Sequence, residues 1–188
     1  MFFDVKDFCF LEDLGSQWKS IRDEYLALPS PCLSEWIEKD LYHGAWKIFL
    51  IFADGKFTSD AARLCPITCA GLKRVPGLTV AGFSVLSSNT EIIPHEGHTL
   101  RVLRYHLGLV TSENAGIQVG DQIQIYQDGE HFVFNDRVTH HAWNRDSSSR
   151  AILLVDFERP EKFRPLGFGQ EASLFSKKNL ETFLKSVN

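Results

Sequence analysis

The sequence has no run of Lys or Arg longer than two, and its formal net charge is -4 with an isoelectric point near 6.0. Such a chain carries no electrostatic footprint for nucleic acid or an anionic bilayer, so neither is expected as a partner. Long apolar runs are missing as well: the longest, Ile48 to Ala53, is about a third of what a membrane span needs. The first residues mix Asp4, Lys6 and Asp7 with apolar side chains, unlike the uninterrupted stretch of a signal peptide. Cysteine is scarce: Cys9, Cys32, Cys65 and Cys69 show neither the C-x2-C pairing of a zinc site nor the density of a disulfide scaffold. A cytoplasmic protein is therefore expected. Cys65 and Cys69 could share a helix face and are expected to be small buried residues. No internal repeat or low-complexity tract is present.

What the chain does have is core material. Its 188 residues are 44% hydrophobic and 23% charged and include 15 Phe and 4 Trp, the profile of a single globular domain, 1–188. Leu14, Trp18, Ile21, Tyr25 and Leu28 recur at three- and four-residue steps, which predicts an amphipathic helix over Asp13–Leu28, ended by Pro29 and Pro31. A second helix is expected over Thr58–Leu72, where Thr58, Ser59 and Asp60 can cap and Pro66 interrupts or restarts the run. After Pro76-Gly77 the texture changes to short strands and turns: Thr79–Leu86, Leu100–Leu109, Ile117 to Gly120, Gln122–Tyr126, His131–Phe134 and Ala151–Phe157, broken at Ser88-Asn89, Ser112–Gly116 and Gln127-Asp128-Gly129. That spacing predicts a sandwich or barrel. The chain thus divides into a mainly helical flank over 1–77, a β core over 78–157 and a tail over 158–188. In the tail, Leu174, Phe175, Leu180, Phe183 and Leu184 fit a short closing helix.

Five of the seven histidines, His95, His98, His106, His140 and His141, fall in the strand-rich half, whereas His43 and His131 have no companions. A lone histidine on a strand is ordinarily a hydrogen-bonding group, so the argument rests on company. His95 stands where a strand enters Glu96-Gly97, and His140 where Phe134-Asn135-Asp136-Arg137-Val138-Thr139 leads into a strand. A jelly roll brings such an early and late pair to one mouth. Two neutral imidazoles with open positions beside them suit a redox-capable divalent metal, as in non-haem iron oxygenases that add a carboxylate. Alternation along a strand puts that carboxylate two residues after the first histidine, and the residue there is Gly97, with Glu96 pointing away. The spacing therefore predicts a two-histidine site with water in the vacant slot, supported by a chelating acid co-substrate.

Arg150 heads the apolar strand Ala151–Val155, where a buried guanidinium needs an anion and its fork suits a carboxylate. Arg104 and His106 share one face of Arg101–Leu109, with Leu103, Tyr105 and Leu107 on the other. These groups imply an acid ligand; the plainer reading is that Arg104 and Arg150 pair with acidic side chains at the surface. Trp143 and Tyr105 are expected to be core or wall, and His98, His141 and Glu96 to line the mouth.

The sequence resembles the aspartyl/asparaginyl β-hydroxylase family of Fe(II)- and 2-oxoglutarate-dependent dioxygenases. The matching stretches are Phe83-Ser84, Ile93-Pro94-His95-Glu96-Gly97, Leu103-Arg104-Tyr105-His106-Leu107-Gly108-Leu109, Phe134-Asn135-Asp136, His140-His141-Ala142-Trp143-Asn144 and Arg150 through Asp156, with Leu64-Cys65-Pro66 and Trp46 before them. The resemblance implies a mainly β fold, a double-stranded β-helix (jelly roll, cupin-like) with flanking N-terminal helices. It implies His95 and His140 as iron ligands and Gly97 as in members that lack the metal carboxylate. Ser84, Arg104, His106 and Arg150 would hold 2-oxoglutarate, Arg150 on its distal carboxylate. Asp136, in a stretch where Asn135 replaces the family's first Asp, would orient a ligand or bound water.

The implied activity is that of an oxidoreductase using Fe(II), 2-oxoglutarate and O2 to hydroxylate a C–H bond with release of succinate and CO2. The expected substrate is Asp/Asn-like: a small molecule, a peptide or a carrier-bound amino acid. The helical repeat region of the animal enzymes has no counterpart in this sequence, so recognition would fall to the barrel mouth and the N-terminal helix. Arg104 to Leu109 and Asp156 to Pro160 also resemble lipid A acyl-chain hydroxylases, which carry Asp where this chain has Gly97. A cupin-like metal or ligand-binding protein without turnover, or a zinc hydrolase, remains a different class. Two inward arginines favour the oxygenase.

Overall fold

The computed structural model describes residues 1–165 and Phe168. The expected closing helix through Leu174, Phe175, Leu180, Phe183 and Leu184 lies outside the described residues. In chain order the strands are β1 (Phe2–Phe3), β2 (Ser34–Glu35), β3 (Tyr42–His43), β4 (Trp46–Ala53), β5 (Lys56–Phe57), β6 (Leu78–Leu86), β7 (Thr90–His95), β8 (Val102–Val110), β9 (Ala115–Val119), β10 (Gln122–Ile125), β11 (His131–Phe134), β12 (His140–Asn144) and β13 (Arg150–Glu158). They form two antiparallel sheets, β1-β11-β8-β13-β6-β4-β2 with β5 beside β4, and β10-β9-β12-β7-β3. The architecture is a jelly roll, as expected.

Alternation sorts the side chains into two cores. Ile152 and Leu154 of β13 point between the sheets, where they meet Ile117, Phe132 and Phe134. Leu153, Val155 and Phe157 point the other way, against Phe8, Leu14 and Ile21 of the N-terminal segment. Both faces of β13 are buried, which is why its sequence reads as a continuous apolar run. The same holds for β4, which lies between β6 and β2. Its Trp46 belongs to the inner core, while Phe49 and Ile51 belong to the outer one. The β core expected over 78–157 thus gains five strands from the flank, four of them two residues long; the long one, β4, escapes sequence reading because an apolar run buried on both faces lacks the alternation that marks a strand.

The helix predicted over Asp13–Leu28 is two pieces, α1 (Glu12–Ser16) and α2 (Trp18–Leu26), joined at Gln17. The ring of His131 lies where a side chain at Gly15 would be, so the sheet approaches α1 closely there. The second predicted helix is also divided, into α3 (Ser59–Leu64) and α4 (Pro66–Leu72). The Thr58 hydroxyl accepts from the Ala61 amide at 3.2 Å, and Pro66 starts α4. Cys65 and Cys69 are buried. Burial pushes the Cys65 thiol up to about 12, which keeps it protonated. Among the described residues no helix is long and apolar enough to cross a membrane.

Candidate active site

The site lies between the sheets, at the end where β7 and β12 pair. His95 and His140 are register partners on those strands, and their ring centroids are 4.2 Å apart. His95 Nδ1 lies 2.9 Å from the Ile93 carbonyl, and His140 Nδ1 lies 2.9 Å from the Val138 carbonyl. A carbonyl oxygen can only accept, so both protons sit on Nδ1 and both Nε2 lone pairs are left free for a ligand. Burial, then the charges of His95 and Arg104, push His140 down to about 3. His95 is lowered as well, mainly by burial. Two neutral imidazoles offering Nε2 are a borderline-metal donor set. Among the described residues no group of three or more His, Cys, Asp or Glu is placed to hold a metal ion.

The volume beside His95 is filled by an acid from another strand connection. A Cβ at Gly97 would overlap the Asp136 carboxyl, and the Gly97 amide donates to the Asp136 carbonyl at 2.7 Å. Asp136 is 2% exposed, and burial pushes its carboxyl up to about 6 against the opposing pull of Arg104. Glu96 points away, as alternation predicts, and takes Thr139 Oγ1 at 3.2 Å and Arg137 at 3.3 Å.

Arg104 and His106 face inward on β8. Arg104 makes a two-pronged pair with Asp156 of β13, Nε to Oδ1 at 2.7 Å and Nη2 to Oδ2 at 2.8 Å. The acidic partner considered from sequence therefore exists for Arg104, but inside the protein rather than at the surface. Arg150 differs. It is 2% exposed, its Nη1 donates to the Ser84 carbonyl at 3.3 Å, and its Nε has no partner. Among the described residues no carboxylate pairs with it, and its guanidinium lies 4.9 Å over the Tyr126 ring. A buried cation left in that state costs several kcal/mol unless an anion arrives.

Tyr126 is the residue that sequence reasoning missed. Its hydroxyl is 2.9 Å from His106 Nδ1 while its ring lies under Arg150, so it links two inward groups. At the end of a short strand it reads as one more wall aromatic, and only the closing of the sheets gives it this place. His106 Nε2 is buried without a partner, and burial together with the charges of Arg104, Arg150 and His140 keeps the ring neutral. Ser84 Oγ accepts from Trp46 Nε1 at 3.0 Å, and Trp46 stacks on Trp36 at 4.2 Å.

The remaining candidates sort by face. His98 is at the mouth, 3.2 Å from Glu38 Oε1. His141, expected there too, points instead to the outer face, beside Gln118 and Trp143, because it alternates with His140. Tyr105 is in the outer core with its hydroxyl 3.1 Å from His131 Nδ1. A cavity of about 530 Å³ bounded by Phe2, Lys6, Gln124, His131 and Phe132 is separate from the histidine pair.

A sequence model described as aspartyl/asparaginyl beta-hydroxylase matches residues 15–160. The ornithine lipid ester-linked acyl 2-hydroxylase of Rhizobium tropici is 36% identical over 120 residues, 62% of this chain and 43% of that protein. The aspartyl/asparaginyl beta-hydroxylase of Homo sapiens is 31% identical over 160 residues, 80% of this chain and 21% of that protein. The match thus spans less than half the length of either relative. Among solved structures, the Schizosaccharomyces pombe Cnp3 cupin domain superposes with a TM-score of 0.47 at 9% identity, over 77% of this chain and 82% of that one.

Proposed function

The chain belongs to the aspartyl/asparaginyl β-hydroxylase family, and from that membership we propose that it is an Fe(II)- and 2-oxoglutarate-dependent hydroxylase of an Asp/Asn residue or an amino-acid-type substrate. The observation that carries this reading is Arg150: a buried guanidinium with an unpartnered Nε and no carboxylate partner among the described residues, whose charge acts on His106 together with that of His140, one of two imidazoles that keep Nε2 for a ligand. A carboxylate of a dicarboxylic acid co-substrate would give that guanidinium the anion it lacks.

In this reading His95 and His140 hold Fe(II) through Nε2. Arg150 takes the distal carboxylate of 2-oxoglutarate, with Ser84 beside it. When His106 Nδ1 accepts the Tyr126 hydroxyl proton, its own proton is on Nε2 and is offered to a carboxylate oxygen. Asp136 fills the volume beside Gly97 with a carboxyl whose buried Oδ1 has no partner and would orient a ligand or bound water. Phe132 and Phe134 pack against His106 at 5.6 and 5.0 Å and exclude water from its ring. When bound, Fe(II) with 2-oxoglutarate and O2 supplies oxidative decarboxylation to succinate and CO2 together with hydroxylation of a C–H bond.

A second substrate class, a lipid acyl chain, is supported by the 36% identity to the ornithine lipid hydroxylase. One experiment tests both. Purified protein with Fe(II), 2-oxoglutarate and O2 is assayed for succinate, then offered Asp- or Asn-containing peptides, free amino acids and ornithine lipids, with product oxygen located by mass spectrometry. Succinate formation that one substrate accelerates identifies the class. Metal binding with no succinate under any condition would leave a binding protein and refute the hydroxylase.

A further inference from the structure

Asp156 is drawn into the site by geometry alone. It faces Arg104 directly across the β8–β13 ladder, and both its carboxylate oxygens are taken by the Nε and Nη2 edge of that guanidinium. The fork then has two outlets left. Its Nη2 reaches Asp136 Oδ2 at 3.6 Å, and its Nη1 is the donor not engaged by Asp156. Asp136 in turn fills the space beside Gly97, two residues from His95. The Asp156 carbonyl accepts from Thr79 Oγ1 at 2.9 Å, which ties its backbone to β6. The chain of contacts runs Asp156, Arg104, Asp136, Gly97.

We propose that Asp156 is a positioning residue: by clamping one edge of Arg104 it leaves the Nη1 end as the part able to meet the carboxylate of a 2-oxo acid, and it keeps Asp136 in the volume beside Gly97. The role toward the 2-oxo acid rests on the function proposed above, whereas the hold on Asp136 does not. Two simpler roles make different predictions. If Asp156 only neutralised Arg104, removing its charge would strengthen the field on an anion and tighten 2-oxoglutarate binding. If it were only part of the core, its loss would lower Tm and leave affinities unchanged.

The test uses the full chain with Asp156→Asn, titrated anaerobically with Fe(II) and then 2-oxoglutarate. Positioning predicts unchanged Fe(II) affinity and 2-oxoglutarate affinity weakened about tenfold, the usual size of an outer-shell loss. Unchanged or tighter 2-oxoglutarate binding overturns it. A second readout needs no co-substrate. Gly97→Ala drives a methyl into the Asp136 carboxyl and lowers Tm; in the Asp156→Asn background, with Asp136 released, that loss should shrink by about 3 °C. Equal losses in both backgrounds overturn the hold on Asp136. If the wild type binds no 2-oxoglutarate but the Tm losses differ, the proposed function fails and the hold stands. Should Asp156→Asn not fold, Asp156→Glu keeps the charge, moves the carboxylate by one methylene and gives the same readouts.

Discussion

His95 and His140 face each other across neighbouring strands, and each ring gives its Nδ1 proton to the carbonyl two residues earlier in its own chain. The tautomer of both is therefore set by local backbone at two strand ends rather than by a carboxylate partner. Presentation of Nε2 is built into the ladder, and any residue that distorts β7 or β12 there would disturb both imidazoles together.

His140→Ala removes one of two donors. Fe(II) affinity should drop below detection in an anaerobic titration, because one imidazole is a weak monodentate ligand. Equal affinity in the variant and the wild type would refute the metal site.

Arg150→Ala should leave Fe(II) binding intact and raise the KM for 2-oxoglutarate about 10–100-fold, the equivalent of one or two charge-assisted hydrogen bonds. Arg150→Lys should recover little, since an ammonium cannot make a two-pronged contact with a carboxylate. Succinate formation measured against 2-oxoglutarate concentration checks both.

Gly97→Asp supplies the carboxylate that the strand spacing of non-haem iron oxygenases would place there, yet it should not build a three-ligand site. Asp136 already occupies the volume, so the substitution should cost about 1–3 kcal/mol by overpacking. Urea unfolding should show that loss, and adding Asp136→Ala should restore part of it.

The apo-protein should lose stability on acidification. Burial pushes His106 well below its ordinary 6.5, His140 down to about 3, and His95 lower too. For a base kept neutral by the fold, the unfolded chain binds more protons below 6.5, so stability is full above that pH and lost as pH falls towards 3. Asp136, raised to about 6, acts in the opposite sense, stabilising the fold less as pH rises from 3.8 to 6. Three histidines outnumber one carboxyl. The Tm should fall between pH 7.5 and 5.5, and His106→Gln should flatten the fall; a slope unchanged by that variant would show that His106 is not held neutral.

Much of the site can be read from periodicity. Arg104 and His106 alternate with Leu103, Tyr105 and Leu107, and the structure puts the two sets on opposite faces of β8. Gly97 falls where alternation would place a metal carboxylate, and Glu96 does point away. Local rules suffice because each statement concerns neighbours on one strand. His141 is expected at the mouth, but under the same rules it falls, as the neighbour of His140, on the opposite face of β12, and there the structure puts it. Strand β4 escaped them because burial on both faces erases the period-two signal.

By itself, then, the sequence determined a sandwich or barrel of short strands, the shared face of Arg104 and His106, and the missing carboxylate at Gly97, because strand alternation and turn chemistry act over a few residues; the jelly roll came from the family resemblance. Only the tertiary structure decided that Arg104 is claimed by Asp156, 52 residues away, while Arg150 has a buried Nε without a partner. It alone put Asp136 into the gap at Gly97 and Tyr126 between His106 and Arg150. Those pairings depend on sheet register and on how closely the two sheets approach, and neither is set by any single segment of the chain.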